Sequence, residues 1–181
     1  MKKLALSLFL ALPALAQVPQ IPTLQVCNGT TASGSGTVQI ISRQDATHTG
    51  KTTVSIEMGC NINGNGYPSG SLSLGISFSD SSATAVTATT VEQYTTTGKH
   101  SPTLYANGRC NATVPGVTGA VTTVPCHWWL TIADNRNPVA GTTGGTQDVV
   151  GFLVIDKTGK RLTYGTGPLV LGNITVAPTG N

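Results

Sequence analysis

From Leu72 to Phe78 apolar side chains alternate with small or polar ones without a break, Leu72-Ser73-Leu74-Gly75-Ile76-Ser77-Phe78. That is the period of a β-strand with one buried face. Val54-Ser55-Ile56-Glu57-Met58 repeats it. Thr37 to Ser42, Thr84 to Val91, Val117 to Val124, Cys126 to Ile132 and Leu169 to Val176 are further strand candidates, separated by Gly, Asn, Pro and Ser clusters such as those at 61–70 and 135–145. Val149 to Ile155 is apolar at nearly every position, which predicts a strand covered on both faces. Asp156-Lys157-Thr158-Gly159 supplies turn chemistry after it, so Arg161 to Tyr164 is expected to pair back as a hairpin. No segment beyond residue 16 carries a helical period. The pattern predicts an all-β chain, an antiparallel β-sandwich of immunoglobulin-like type, as a single domain over residues 37–181.

The first residues follow a different logic. Lys2 and Lys3 precede an apolar run from Leu4 to Leu15, and Ala14-Leu15-Ala16 places small residues where a signal peptidase cuts. This is the layout of a secretory signal peptide over residues 1–16, cleaved after Ala16. The run is too short to cross about 30 Å of hydrocarbon as a lasting helix. Residues 17–36, with Pro19, Pro22 and a Gly/Ser tract, read as an extended and mobile N-terminal lead. Loss of Lys2 and Lys3 removes two of the three net positive charges. The remaining chain has no basic cluster of the sort nucleic-acid binding requires, which excludes that class.

Only 9% of the residues are charged, against roughly 25% in an average soluble domain. Ser and Thr therefore supply much of the polar surface. The mature chain contains no stretch long and apolar enough for a transmembrane helix, and its sparse aromatics do not suit the two girdles of a membrane barrel.

Export changes the meaning of Cys27, Cys60, Cys110 and Cys126. An even number of cysteines in an oxidising compartment favours disulfides, and local pairing predicts Cys27 with Cys60 and Cys110 with Cys126. None of the four shows zinc-ligand spacing and the histidines are scattered, so no metal and no cofactor is expected.

Candidate chemistry is sparse. Asp45, Glu57, Asp80, Glu92, Asp134, Asp148 and Asp156 fall mostly at strand ends or turns, where solvation or capping explains a carboxylate. His48, His100 and His127 could each join a hydrolytic triad, but no serine lies in a Gly-x-Ser-x-Gly elbow. The Asp134-Asn135-Arg136-Asn137 run reads as a hydrogen-bonded turn, and Asn28, Asn111 and Asn173 fit the glycan-acceptor pattern. The most distinctive feature is His127-Trp128-Trp129. Strand alternation sends the two tryptophans to opposite faces, one into the core and the other to packing under a loop, a subunit contact or a ligand platform. Tyr94 and Tyr105 are candidates to extend such a platform.

Together these features predict a non-enzymatic protein that is secreted or held at the cell surface. Its expected role is structural or adhesive, as a subunit of a homo-oligomer or filament assembled through strand edges. A secreted carbohydrate-binding module that meets surface glycans through an exposed tryptophan is the alternative.

Overall fold

The computed structural model describes residues 27–42, 45–60, 66–116, 119–135 and 146–178. The signal peptide expected at 1–16 and the lead expected from 17, as far as residue 26, lie outside these residues, as do Arg136 and Asn137. The described chain is all β. In chain order the strands are β1 (Cys27–Asn28), β2 (Thr31–Ile40), β3 (Gly50–Cys60), β4 (Pro68–Phe78), β5 (Ala85–Ala88), β6 (Gln93–Thr97), β7 (Thr103–Pro115), β8 (Val121–Ala133), β9 (Val149–Asp156) and β10 (Arg161–Val176).

The expected immunoglobulin-like sandwich is not what these strands build. Their order is β1-β6-β7-β5-β4-β3-β2-β10-β9-β8, with β8 pairing back to β7. Eight antiparallel strands, β2 to β5 and β7 to β10, thus close into a barrel. Neighbours in sequence are neighbours in the wall, and β5 and β6 lie end to end along the same side of β7. The ring shuts where β10 meets β2, with Val176 opposite Ala32 and Leu169 opposite Val38. A sandwich and a meander barrel require the same local alternation; the β2–β10 pairing separates them. Residues 31–36, read from the sequence as part of the lead, are paired on both sides within β2.

Eight strands enclose a space that side chains alone can fill. Trp128, Tyr94, Met58, Leu72, Leu74, Leu104, Leu130 and Ile132 are fully buried within it. The outer wall of β2, β3 and β4 carries Ser35, Thr37, Thr53, Ser55, Ser71 and Ser73 at alternate positions. On these three strands an apolar inside with a hydroxyl outside is the reverse of a lipid-facing wall.

Both disulfides have the expected partners. Cys27 bonds Cys60 across 33 positions, tying β1 to the end of β3. Cys110 bonds Cys126 across 16 positions, joining directly opposed residues of β7 and β8 inside the barrel. Such pairs suit an oxidising environment. No helix among the described residues is long and apolar enough to cross a membrane.

Two expectations change with closure. Among the described residues each barrel strand has a partner on both sides, so the edge left for an added strand shrinks to short stretches, on β4 where β5 pairs only Ser73 to Gly75 and on β6 where β1 pairs only Tyr94 and Thr95. The strand from Val149 is not covered on both faces either. Val150, Phe152 and Val154 point inward, while Val149 and Leu153 are exposed on the outer wall.

Candidate functional site

Trp128 enters the barrel between Cys126 and Leu130 and is wholly buried. Its indole N–H donates to the carbonyls of Arg109, at 3.0 Å, and Thr90, at 3.3 Å. Trp129 therefore faces outward and is half-buried. Its register partners are Asn107 on β7 and Leu153 on β9, and Leu153 in turn faces Tyr164 on β10. A continuous outward row, Asn107-Trp129-Leu153-Tyr164, crosses four strands.

Tyr105 stands diagonally from Trp129 on the same face and is 41% exposed. The Asn107 amide between them donates to Gln93 Oε1 at 2.6 Å and to the Tyr105 hydroxyl at 3.5 Å. The His127 ring centre lies 6.3 Å from that of Trp129. Arg109 pairs with Glu92 at 2.7 Å, largely in solvent, where such pairs contribute about 0–1 kcal/mol.

Of the four aromatics singled out from the sequence, the outer wall brings together Trp129 and Tyr105. Trp128 and Tyr94 belong to the core. Tyr94 points inward from β6 and is 0% exposed. Its hydroxyl finds no partner among the described residues, and burial raises its pKa above the ordinary phenol range.

Tyr164, which the sequence reading used only as the end of a hairpin, closes the row. The His48 ring stacks on it at 3.7 Å with an interplanar angle of 1°, and the Arg161 guanidinium carbon lies 3.9 Å from its centre. Two groups so near one ring centre occupy its opposite faces. The Tyr164 hydroxyl donates to Asp45 Oδ2 at 3.3 Å, while Thr47 donates to Asp45 Oδ1 from its hydroxyl and its amide. The Thr47 bonds, foremost the hydroxyl's, hold the Asp45 carboxyl below the usual carboxylate range. These residues border a groove of about 800 Å³ that Ile41 and Leu153 also line.

His48 and Asp80 resemble two members of a hydrolytic triad, with Nδ1 2.9 Å from Asp80 Oδ2. The other ring nitrogen, however, faces the Tyr164 carbonyl and not a hydroxyl nucleophile. The pair thus clamps the β2–β3 and β4–β5 connections onto β10. Asp134 and Asp148 are also buried, at 4% and 3% exposure, so of solvation and capping, the two expected roles, it is the bonding of backbone amides that they perform. Asp134 accepts the Val176 amide, and Asp148 accepts those of Asn135 and Ile174. Among the described residues no group of three or more His, Cys, Asp or Glu side chains could hold a metal ion.

Sequence reading missed Leu153, Asn107 and the Asp45–Tyr164–Arg161 set, because cross-strand register brings them together and no local pattern encodes it. Comparison of the chain with family models, curated proteins and solved structures finds no match to any of them.

Proposed function

We propose that this protein is an exported, non-enzymatic adhesive domain that holds glycans on the outer face of β7, β8 and β9. One observation carries the reading: the barrel's outer wall is divided. On β2, β3 and β4 it presents chiefly small hydroxyl side chains, whereas Tyr105, Trp129, Leu153 and Tyr164 cluster on β7 to β10.

A sugar ring offers an apolar C–H face and a rim of hydroxyls. The C–H face packs on the electron-rich face of an indole or phenol. Asn107 and Gln93 lie beside the aromatic pair as amide donors and acceptors for the rim. The paired cysteines accord with a place of work outside the cytoplasm, secreted or at the cell surface.

The test is glycan binding by the oxidised full chain, read on an array of neutral and acidic oligosaccharides. Binding to at least one class, lost in Trp129→Ala with the melting temperature nearly unchanged, is the expected result. Native chain that binds no glycan but forms concentration-dependent oligomers in light scattering would transfer the role to self-assembly.

A further inference from the structure

We infer that the groove bordered by Asp45, Arg161 and Leu153 is a second sugar subsite, so that the ligand is a neutral glycan chain lying across the strands. The inference rests on the glycan reading of Trp129 and extends it.

Continuity is the first argument. Leu153 belongs to both places: it is the direct neighbour of Trp129 in the wall, and it lines the groove. A chain seated on Trp129 and running toward β10 passes over Leu153 into the groove without leaving the surface. From β7 to β10 there are three strand spacings of about 4.8 Å, or roughly 14 Å, which is more than one sugar ring spans.

The groove's chemistry supplies the second. The Arg161 guanidinium rests on Tyr164 through its face and has no acceptor among the described residues. Its N–H groups are available as a planar fork of donors. Asp45 is held in place by Thr47 and Tyr164, yet a carboxylate with two oxygens retains acceptor capacity beyond those bonds. A donor fork and an anionic acceptor on the same tyrosine suit adjacent hydroxyls, which both give and accept. Ile41, 68% exposed, and Leu153, 36% exposed, supply apolar contact for C–H faces. Arg161 and Asp45 both line the groove and offset each other in charge, so an acidic ring gains no net electrostatic advantage there and the paired donor and acceptor suit the hydroxyls of neutral rings.

The experiment is calorimetric titration of the oxidised full chain with neutral gluco-, xylo- and manno-oligosaccharides, from disaccharide to hexasaccharide. Affinity should climb with length by about tenfold once the chain reaches the groove, the scale of one good hydrogen-bonded contact. Arg161→Gln and Asp45→Asn should each remove that gain while leaving disaccharide affinity unchanged, and Trp129→Ala should weaken every length. Thermal melts of each variant separate lost contacts from lost folding, and chemical-shift changes at Arg161 and Gly165 in the native chain give a readout that needs no variant. Disaccharides that bind as tightly as hexasaccharides, or a length gain that survives Arg161→Gln, would overturn the second subsite while leaving Trp129 as a platform. Failure of every neutral oligosaccharide to bind, with an acidic class bound on the array, would overturn the neutral second subsite and leave Trp129 as a platform, whereas failure on the array as well would remove both readings.

Discussion

Trp128 and Trp129 are adjacent in the chain, but one fills the barrel and the other faces outward. Trp128→Ala leaves a large void and takes the indole N–H from the Thr90 carbonyl, while the Arg109 carbonyl keeps the Thr89 amide, so it should cost about 3–5 kcal/mol. Trp129→Ala removes a half-buried outer side chain and should stay within about 1 kcal/mol. Urea denaturation of the oxidised chain measures both, and equal losses would contradict the assigned faces. The choice of inner tryptophan was in fact legible. Leu130 and Ile132 share the parity of Trp128, whereas His127 and Thr131 share that of Trp129, so alternation alone puts Trp128 inside. The clamp around Tyr164 was not legible, because His48 and Asp80 reach it from separate connections, 116 and 84 positions away in sequence. No local period records such a meeting.

Strands were readable where large apolar side chains alternate, as in β3 and β4, and were lost where the buried face is made of small residues. β7 is the clearest case. Its inward positions are Leu104, Ala106, Gly108, Cys110 and Ala112, small because Gly108 lies directly opposite Trp128 in the neighbouring strand. A large residue on one strand thus erased the hydrophobic signal of the next. The start of β9 illustrates a different blind spot, since turn-like Asp148 is buried there as a bridge to β10. Burial, reinforced by the nearby charge of Asp134, raises its pKa above the usual carboxylate value. Its contribution to stability is therefore complete below the unfolded-state value and is lost as pH rises through the folded one. Asp156 works in the opposite sense. Hydrogen bonds in the β9–β10 turn, chiefly from the Thr158 hydroxyl, lower its pKa, so its contribution is present above the unfolded value and is lost as pH falls. Urea midpoints measured from acid to neutral pH should accordingly show Asp148→Asn most costly in acid and Asp156→Asn most costly near neutrality. The same trend in both variants would refute these assignments.

Closure is a property of the whole molecule, and it depends on pairing between strands distant in sequence, with seven residues of β10 in register with β2. At the β2–β10 seam Gly36 lies opposite Gly172, and β10 carries a bulge between Leu169 and Leu171. A Cβ built on Gly36 would stand 2.4 Å from the Leu171 carbonyl oxygen and 2.6 Å from Leu169 Cδ2. The seam is therefore tight for two reasons, one in the backbone and one in a side chain, and a double mutant can separate them. Gly36→Ala should destabilise the barrel by about 1–3 kcal/mol through overpacking. Leu169→Ala, which empties a fully buried site, should cost about 2–5 kcal/mol. Were the leucine the sole obstacle, the pair would cost clearly less than the sum of the singles. Because the nearer obstacle is a carbonyl that Leu169→Ala leaves in place, only partial relief is expected, with a coupling energy below the full cost of Gly36→Ala. An open sandwich would have no such seam, and Gly36→Ala would then be tolerated with a loss no greater than that of an ordinary surface substitution. Denaturation of the two single variants and the double variant thus tests the closed topology itself, independently of any ligand.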